Sequence, residues 1–362
     1  MNILNDILII GGGIIGLSVA IELKLRGATV TVLTRDFSEA AAHAAAGMLA
    51  PQAEQIPPSP MLDLCLRSRA LYPDWTRKLE EITGLDTGYW PCGILSPVYT
   101  CEQQHQQNHT SATSPVSIWL DDTAIHQHQP ALSSEVIGGW WYPEDGQVDN
   151  RALAKTLWTA AQQLGVKISQ GVQVEKLVIH NQQITYVQTS QGDWQAEHYV
   201  LASGAWANQL LPVQVSPTKG QMLSVRVPSS TQPLKQVLFG DEIYIVPRQN
   251  GRIVIGATSE NVGFTPHNTP AGIQALLARA IRLYPELQDF TIEEFWWGFR
   301  PATPDELPIL GASPYENLTL ASGHYRNGIL LAPITALLIA NSLWEEKLDP
   351  LLPHFHYARF AN

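Results

Sequence analysis

The segment Gly11-Gly12-Gly13-Ile14-Ile15-Gly16 sets three glycines at the spacing G-x-G-x-x-G, directly behind the apolar run of residues 7–10. This pattern suits the binding of a pyrophosphate. Gly11 permits a tight turn, Gly13 lets the backbone approach the phosphates, and Gly16 lets the next helix lie close on the strand. The first N–H groups of that helix, at Ile14, Ile15 and Gly16, then point toward the anion with the positive end of the helix dipole behind them. Such a triplet alone is weak, because a glycine-rich turn can bind nothing. Here an amphipathic segment over residues 17–26 and a second apolar strand over 29–33 follow, which completes a β-α-β unit and predicts a dinucleotide site.

The end of the second strand leaves the dinucleotide open. NAD and FAD sites usually place an acid there to hold the ribose hydroxyls, whereas this chain has Thr34, Arg35 and Asp36. Arg35 suits a 2′-phosphate and so NADP; Asp36 or the Thr34 hydroxyl suits a ribose.

Two later segments carry further chemistry. Residues 296–311 read WWGFRPATPDELPILG and residues 321–333 read ASGHYRNGILLAP. In the second, a strand passes through Gly323 and Gly328 into a helix start. Backbone N–H groups there stabilise negative charge, such as that at the N1–C2=O2 edge of a reduced flavin.

The elements that must position these groups suggest two interleaved domains, which 362 residues also favour. The small-residue run over 40–48 lets a ligand approach closely or forms a helix packed on the sheet. A helix over 61–84 ends at Gly84. From Gly88 to Tyr142 the pattern turns short and aromatic. Asp149 N-caps a helix that Gly165 closes, and strands at 166–169, 172–179 and 184–189 follow, the last two as a hairpin. Residues 199–206 form a strand running into a glycine turn. Strands at 221–227, 242–247 and 252–257 precede one more at 318–321 and a closing helix over 329–343. The expected fold is α/β. A Rossmann-type nucleotide domain (1–87, 146–212 and 301–362) is interleaved with an α+β substrate domain on an antiparallel sheet (88–145 and 213–300).

Composition narrows the function. The net charge of −11 and the lack of a Lys/Arg cluster argue against nucleic acid. Cys65, Cys92 and Cys101 lack disulfide or zinc spacing, and no metal site is expected. No signal peptide before the first strand and no appended synthase domain after Asn362 are expected. The apolar stretch 329–343 is broken by Pro333, Thr335 and Asn341 and is shorter than the roughly 20 residues of a membrane span. A soluble, cytoplasmic protein is expected.

Taken in order, these motifs resemble the flavin-dependent amino-acid oxidases of the D-amino-acid oxidase/sarcosine oxidase superfamily, and within it the glycine oxidases of thiamine biosynthesis. The resemblance rests on Gly11–Gly16, on AAAGML (44–49), YIVPR (244–248) and GAT (256–258), on Arg300-Pro301 and on GHYRNGILLAP (323–333), nearly the whole chain. It implies FAD in a glutathione-reductase-like domain, lined by Gly11, Gly13, Gly16, Ala45, Ala46, Gly47, Met48, Val172, Gly204, Trp206 and the backbone of Asn327, Gly328, Ile329 and Leu330. Covalent members carry a cysteine shortly after the arginine matching Arg300. Residues 301–311 have none, so the flavin is expected to be non-covalent. Thr34 stands in place of the usual acid, and Ser259 where some glycine oxidases place a methionine.

A small amino-acid substrate presents a carboxylate, which a planar guanidinium grips at two points. Arg300 is the candidate, with Tyr244 adding a hydroxyl donor and Arg326 a second cation. The plainer alternatives are an Arg300 ion pair to Asp305 or Glu306, an Arg326 that bonds nearby carbonyls, and a packing role for Tyr244. Trp296 and Trp297 read as core, Lys219 as surface and His324 as a structural histidine. Direct hydride transfer from a neutral amine is expected, with no evident general base, then reoxidation by O2 to give H2O2. The imine hydrolyses to glyoxylate and ammonia or passes to a thiazole synthase. The rivals are a D-amino-acid dehydrogenase that reduces a quinone or other acceptor, a non-catalytic dinucleotide module, and an NADP-dependent reductase. A homo-oligomer is compatible with all of these.

Overall fold

A computed structural model describes residues 6–103, 117–231, 234–345 and 347–360. Residues 1–5 and 361–362, the outer ends of the expected nucleotide domain, lie outside the described residues, as do 104–116 of the expected substrate domain.

Two sheets organise the chain. The first has six strands in the order Ile309–Ala312, Leu318–Ser322, His198–Leu201, Asp6–Ile10, Thr29–Thr34 and Lys167–Gln170. All neighbours are parallel except the outermost pair, Ile309–Ala312 with Leu318–Ser322. Its central strand is apolar at successive positions because both faces are covered. Ile7 and Ile9 meet a layer that contains helices Ile14–Leu25, Pro60–Thr83, Asn150–Gln163 and Gly328–Trp344. Leu8 and Ile10 meet the opposite layer, where the hairpin Val174–His180 and Gln183–Thr189 packs.

The segment after the glycine turn departs from expectation. The helix starts three residues earlier, at Ile14, and nine of its twelve residues are buried rather than one stripe. It lies between the first sheet and helix Gly328–Trp344, so two apolar partners replace the solvent face of an amphipathic helix.

The second sheet has eight strands, ordered Thr291–Ala302, Ser216–Arg226, Arg252–Gly256, Ile243–Pro247, Val237–Gly240, Ile94–Val98, Gly138–Tyr142 and Ile118–Asp121. It is antiparallel except that Val237–Gly240 runs parallel to Ile94–Val98, so the expected all-antiparallel sheet is mixed at one joint. Helix Pro270–Leu283 packs on one face through Leu276, Ala280 and Leu283. Strand Thr291–Ala302 pairs with Ser216–Arg226 along its length, from Thr291 against Arg226 to Ala302 against Ser216, and so carries Arg300 toward the first sheet. Among the described residues no helix is long and apolar enough to cross a membrane.

Candidate active site

A cavity of about 770 Å³ runs from the Gly11 turn to Tyr244 and Arg300. At one end, Gly11 has φ +116°, and a Cβ there would stand 2.4 Å from the Ala202 carbonyl oxygen. A Cβ on Gly16 would stand 1.9 Å from the Gly11 carbonyl oxygen. Neither position accepts another residue without moving the chain. Gly16 is therefore a packing residue and is not on the cavity wall, whereas Gly11, Gly13, Ile14 and Ile15 line it.

Thr34, Arg35, Val172, Gly204 and Trp206 line the same end. Arg35 is already engaged: its guanidinium lies 5.0 Å from the centre of the Trp206 ring and its Nε donates to Glu39 at 2.9 Å. Asp36 accepts from the Ser38 N–H at 2.8 Å and caps the turn Phe37–Glu39. Thr34 is buried against Gly12.

Ala45, Ala46, Gly47 and Met48 form the next stretch of wall, opposite Gly328 and Ile329. Asn327 and Leu330 do not reach it. Leu330 is core, and its carbonyl accepts from the Ser68 hydroxyl at 2.6 Å. Helices Ile14–Leu25 and Gly328–Trp344 both begin at the cavity, and neither has a side-chain cap on its first N–H groups. The Ser203 hydroxyl is buried at the wall with no partner. Two uncapped helix starts, a glycine cradle and an orphaned hydroxyl fit a long anionic dinucleotide. His324 lines the cavity but is buried, its Nε2 3.0 Å from the Thr335 hydroxyl. Burial pushes it down to about 3, so it is a neutral, structural ring.

At the far end, Arg300 rests over Gly220, where a Cβ would meet both Nη atoms at 2.6 Å. Its Nη1 donates to the Thr258 carbonyl at 3.1 Å, and its charge acts on the Tyr244 phenol, lowering it against burial. Asp305 is taken instead by Arg359, at 2.7 Å. Arg300 thus lacks the expected acidic alternative and presents a guanidinium edge to the cavity. Tyr244 sits 3.3 Å from the Met222 sulfur, and burial raises its phenol, so it stays a neutral donor. Arg326 also lines this end, its guanidinium stacked 5.0 Å from the Tyr325 ring.

Several residues of this end escape sequence reasoning. Glu54 lines the cavity, and burial raises its carboxyl to about 7 against the lowering pull of Arg326, Asn327 and Arg300. Its turn is pinned by fully buried Asp145, which accepts from the Ala53 N–H at 2.8 Å and from Arg69 at 2.5 Å. Gly220 and Met222 shape the pocket around Arg300 and Tyr244. Glu54 stands six residues beyond the small-residue run over 40–48, and nothing local marks either it or Gly220.

Two side chains differ from expectation. Lys219 is buried at 1% exposure, with Nζ 2.9 Å from Glu260 and 3.2 Å from the His267 carbonyl, because strand Ser216–Arg226 is an inner strand of the sheet. Trp296 is core, its Nε1 donating to the Ala44 carbonyl at 3.2 Å. Trp297 is exposed, since side chains alternate along an edge strand.

The family described as DAO, FAD dependent oxidoreductase, matches residues 6–342. The chain is 66% identical over 362 residues to the bifunctional protein ThiO/ThiG of Trichormus variabilis, a match that spans 98% of this chain and 55% of that protein. The chain therefore spans about half the length of this relative. It is 37% identical to the glycine oxidase of Geobacillus kaustophilus, across 93% of this chain and 92% of that one. The crystal structure of glycine oxidase from Geobacillus kaustophilus superimposes with a TM-score of 0.93 at 34% identity, covering 99% of this chain and all of that one.

Proposed function

The chain belongs to the DAO family of FAD-dependent oxidoreductases, and from that we propose that it oxidises glycine, and other small amines of similar size, to the imine with O2 as terminal oxidant. FAD membership removes the NADP reading of Arg35. Bound FAD supplies the acceptor for a hydride.

The observation that carries the substrate assignment is the Arg300–Tyr244 pair, held over Gly220 at the end of the cavity away from the Gly11 turn. A substrate carboxylate accepts from the Arg300 guanidinium, a charge-assisted pair, and from the Tyr244 hydroxyl. Arg326 adds positive charge on the same side. Fixing the carboxylate fixes the Cα–H vector, and orientation is the chain's main contribution to rate. Met222 and Tyr244 close the space beyond Cα, which favours a substrate without a large side chain. Gly11, Gly13, Ile14, Ile15, Thr34 and Arg35 would hold the adenosine and pyrophosphate. Val172, Gly204 and Trp206 would hold the same part, and Ala45–Met48 with Gly328 and Ile329 the rest, the Gly328 helix start placing N–H groups where the reduced ring is negative.

O2 and the substrate give the imine and H2O2; water then converts the imine to glyoxylate and ammonia. The imine is also a suitable feed for a thiazole synthase, and the two-function relatives support that partner. The nucleotide domain comprises 1–87, 146–212 and 301–362, and the substrate domain 88–145 and 213–300. Three cysteines free of disulfides support a cytoplasmic setting.

The test is the absorption spectrum of the purified protein before and after anaerobic glycine. Bleaching of the flavin band, then one H2O2 per glycine in air, is expected. No bleaching with glycine, sarcosine or D-alanine overturns the assignment; bleaching without peroxide makes the protein a dehydrogenase.

A further inference from the structure

We propose that Glu54 is the proton acceptor for the substrate ammonium group, an inference that rests on the oxidase reading above. A zwitterion bound at Arg300 and Tyr244 brings an ammonium that must lose a proton before its nitrogen lone pair can assist loss of hydride from Cα. Among the described residues, the other carboxylates on the cavity wall are Asp36, Glu39 and Glu242. The first two sit beside Arg35 at the nucleotide end, and Glu242 is exposed and paired with Arg279. Glu54 alone lies among the groups of the substrate end.

The charges around Glu54 come from every side. Arg326 and Asn327 face it from the turn before helix Gly328–Trp344, Arg300 from strand Thr291–Ala302, and Asp145 from the turn after Gly138–Tyr142. Tyr244 approaches from strand Ile243–Pro247 and Cys65 from helix Pro60–Thr83. The turn that carries Glu54 is fixed, since Asp145 accepts from the two preceding backbone N–H groups, of Gln52 and Ala53.

Burial raises the proton affinity of Glu54, while Arg326, Asn327 and Arg300 lower it, for a carboxyl near about 7. A bound zwitterion brings both signs: its carboxylate offsets the guanidinium charge, while its ammonium beside Glu54 favours the charged carboxylate until the proton passes. In the step, an ammonium N–H bond breaks and a Glu54 O–H bond forms, the electron pair staying on nitrogen. The Cα–H pair then leaves as hydride to the bound flavin. The Glu54 proton returns to solvent after the imine departs.

The experiment is anaerobic reduction of the flavin by glycine across about pH 6–10 in wild type, Glu54→Gln and Glu54→Asp, all with matched flavin content. Glycolate binding, read from the flavin absorption shift, runs beside it as a carboxylate ligand without an ammonium. In wild type the rate divided by Kd falls below about pH 7 as Glu54 protonates. In Glu54→Gln it drops about 100-fold or more at neutral pH and recovers toward high pH, where the amine deprotonates unaided. Glu54→Asp keeps the acid limb at a lower rate, and glycolate Kd stays within about threefold in both variants. A Glu54→Gln variant with the wild-type rate and acid limb overturns the proposal. Equal losses for glycolate and glycine also overturn it, making Glu54 a strut for the arginines. A wild type that glycine does not bleach removes the oxidase reading first, which is a separate result.

Discussion

The Arg300 guanidinium lies flat over the Cα of Gly220, so close that a Cβ at 220 would stand 2.6 Å from both Nη atoms. Gly220 lies on the neighbouring strand, paired with Gly298 and two residues from Thr218, the partner of Arg300. The absence of a side chain there is what permits the approach. Gly220→Ala leaves the backbone undisturbed but displaces the guanidinium from Tyr244 and Thr258. The expected result is a rise in glycine KM of about tenfold or more, near 1.4 kcal/mol of binding, with flavin content retained. An unchanged KM contradicts this placement.

Asp145 is a carboxylate with no exposure, bonded to Arg69 and to two backbone N–H groups of the turn that carries Glu54. Burial raises its carboxyl to about 6 in spite of those donors. Asp145→Ala leaves Arg69 and both N–H groups without that acceptor. Arg69 keeps Gln52 and Glu144, so the loss of roughly 1–3 kcal/mol comes from the buried N–H groups left without an acceptor, visible as a lower midpoint in urea. A midpoint within error of wild type contradicts a pinning role.

His198 tests the sheet independently of the site. Its Nε2 is 2.8 Å from the Thr319 hydroxyl, and burial pushes the ring down to about 4. The unfolded ring takes a proton near pH 6.5 and the folded ring does not until about pH 4. Its contribution is therefore present at neutral pH and is lost as pH falls through that window, by up to about 3 kcal/mol. In His198→Asn that loss disappears, so the stability gap between variant and wild type narrows on acidification from about pH 7 to 4.5. A gap independent of pH contradicts it.

Sequence patterns carried most of the fold. The glycine turn, the two capped helices Pro60–Thr83 and Asn150–Gln163 and the strand periodicity are local signals, written within a few residues of each other. The sequence singled out Arg300, Tyr244 and Arg326 by their chemistry, and all three line the one cavity described above. The rest depends on distant neighbours. Lys219 looked like a surface residue until Glu260 and the inner position of its strand were in view. Gly220 is unremarkable until Arg300 crosses it. Glu54 becomes distinctive only when Arg326 and Asn327, some 270 residues further on, fold against it.

The central claim is that Arg300 anchors the substrate carboxylate beside the flavin. Arg300→Ala, followed by anaerobic reduction with glycine at neutral pH, tests it most directly. Removing a charge-assisted pair costs on the order of 2–4 kcal/mol, so the expected Kd for glycine rises roughly 30- to 1,000-fold while FAD stays bound. An Arg300→Ala protein that is reduced by glycine at wild-type Kd contradicts the assignment.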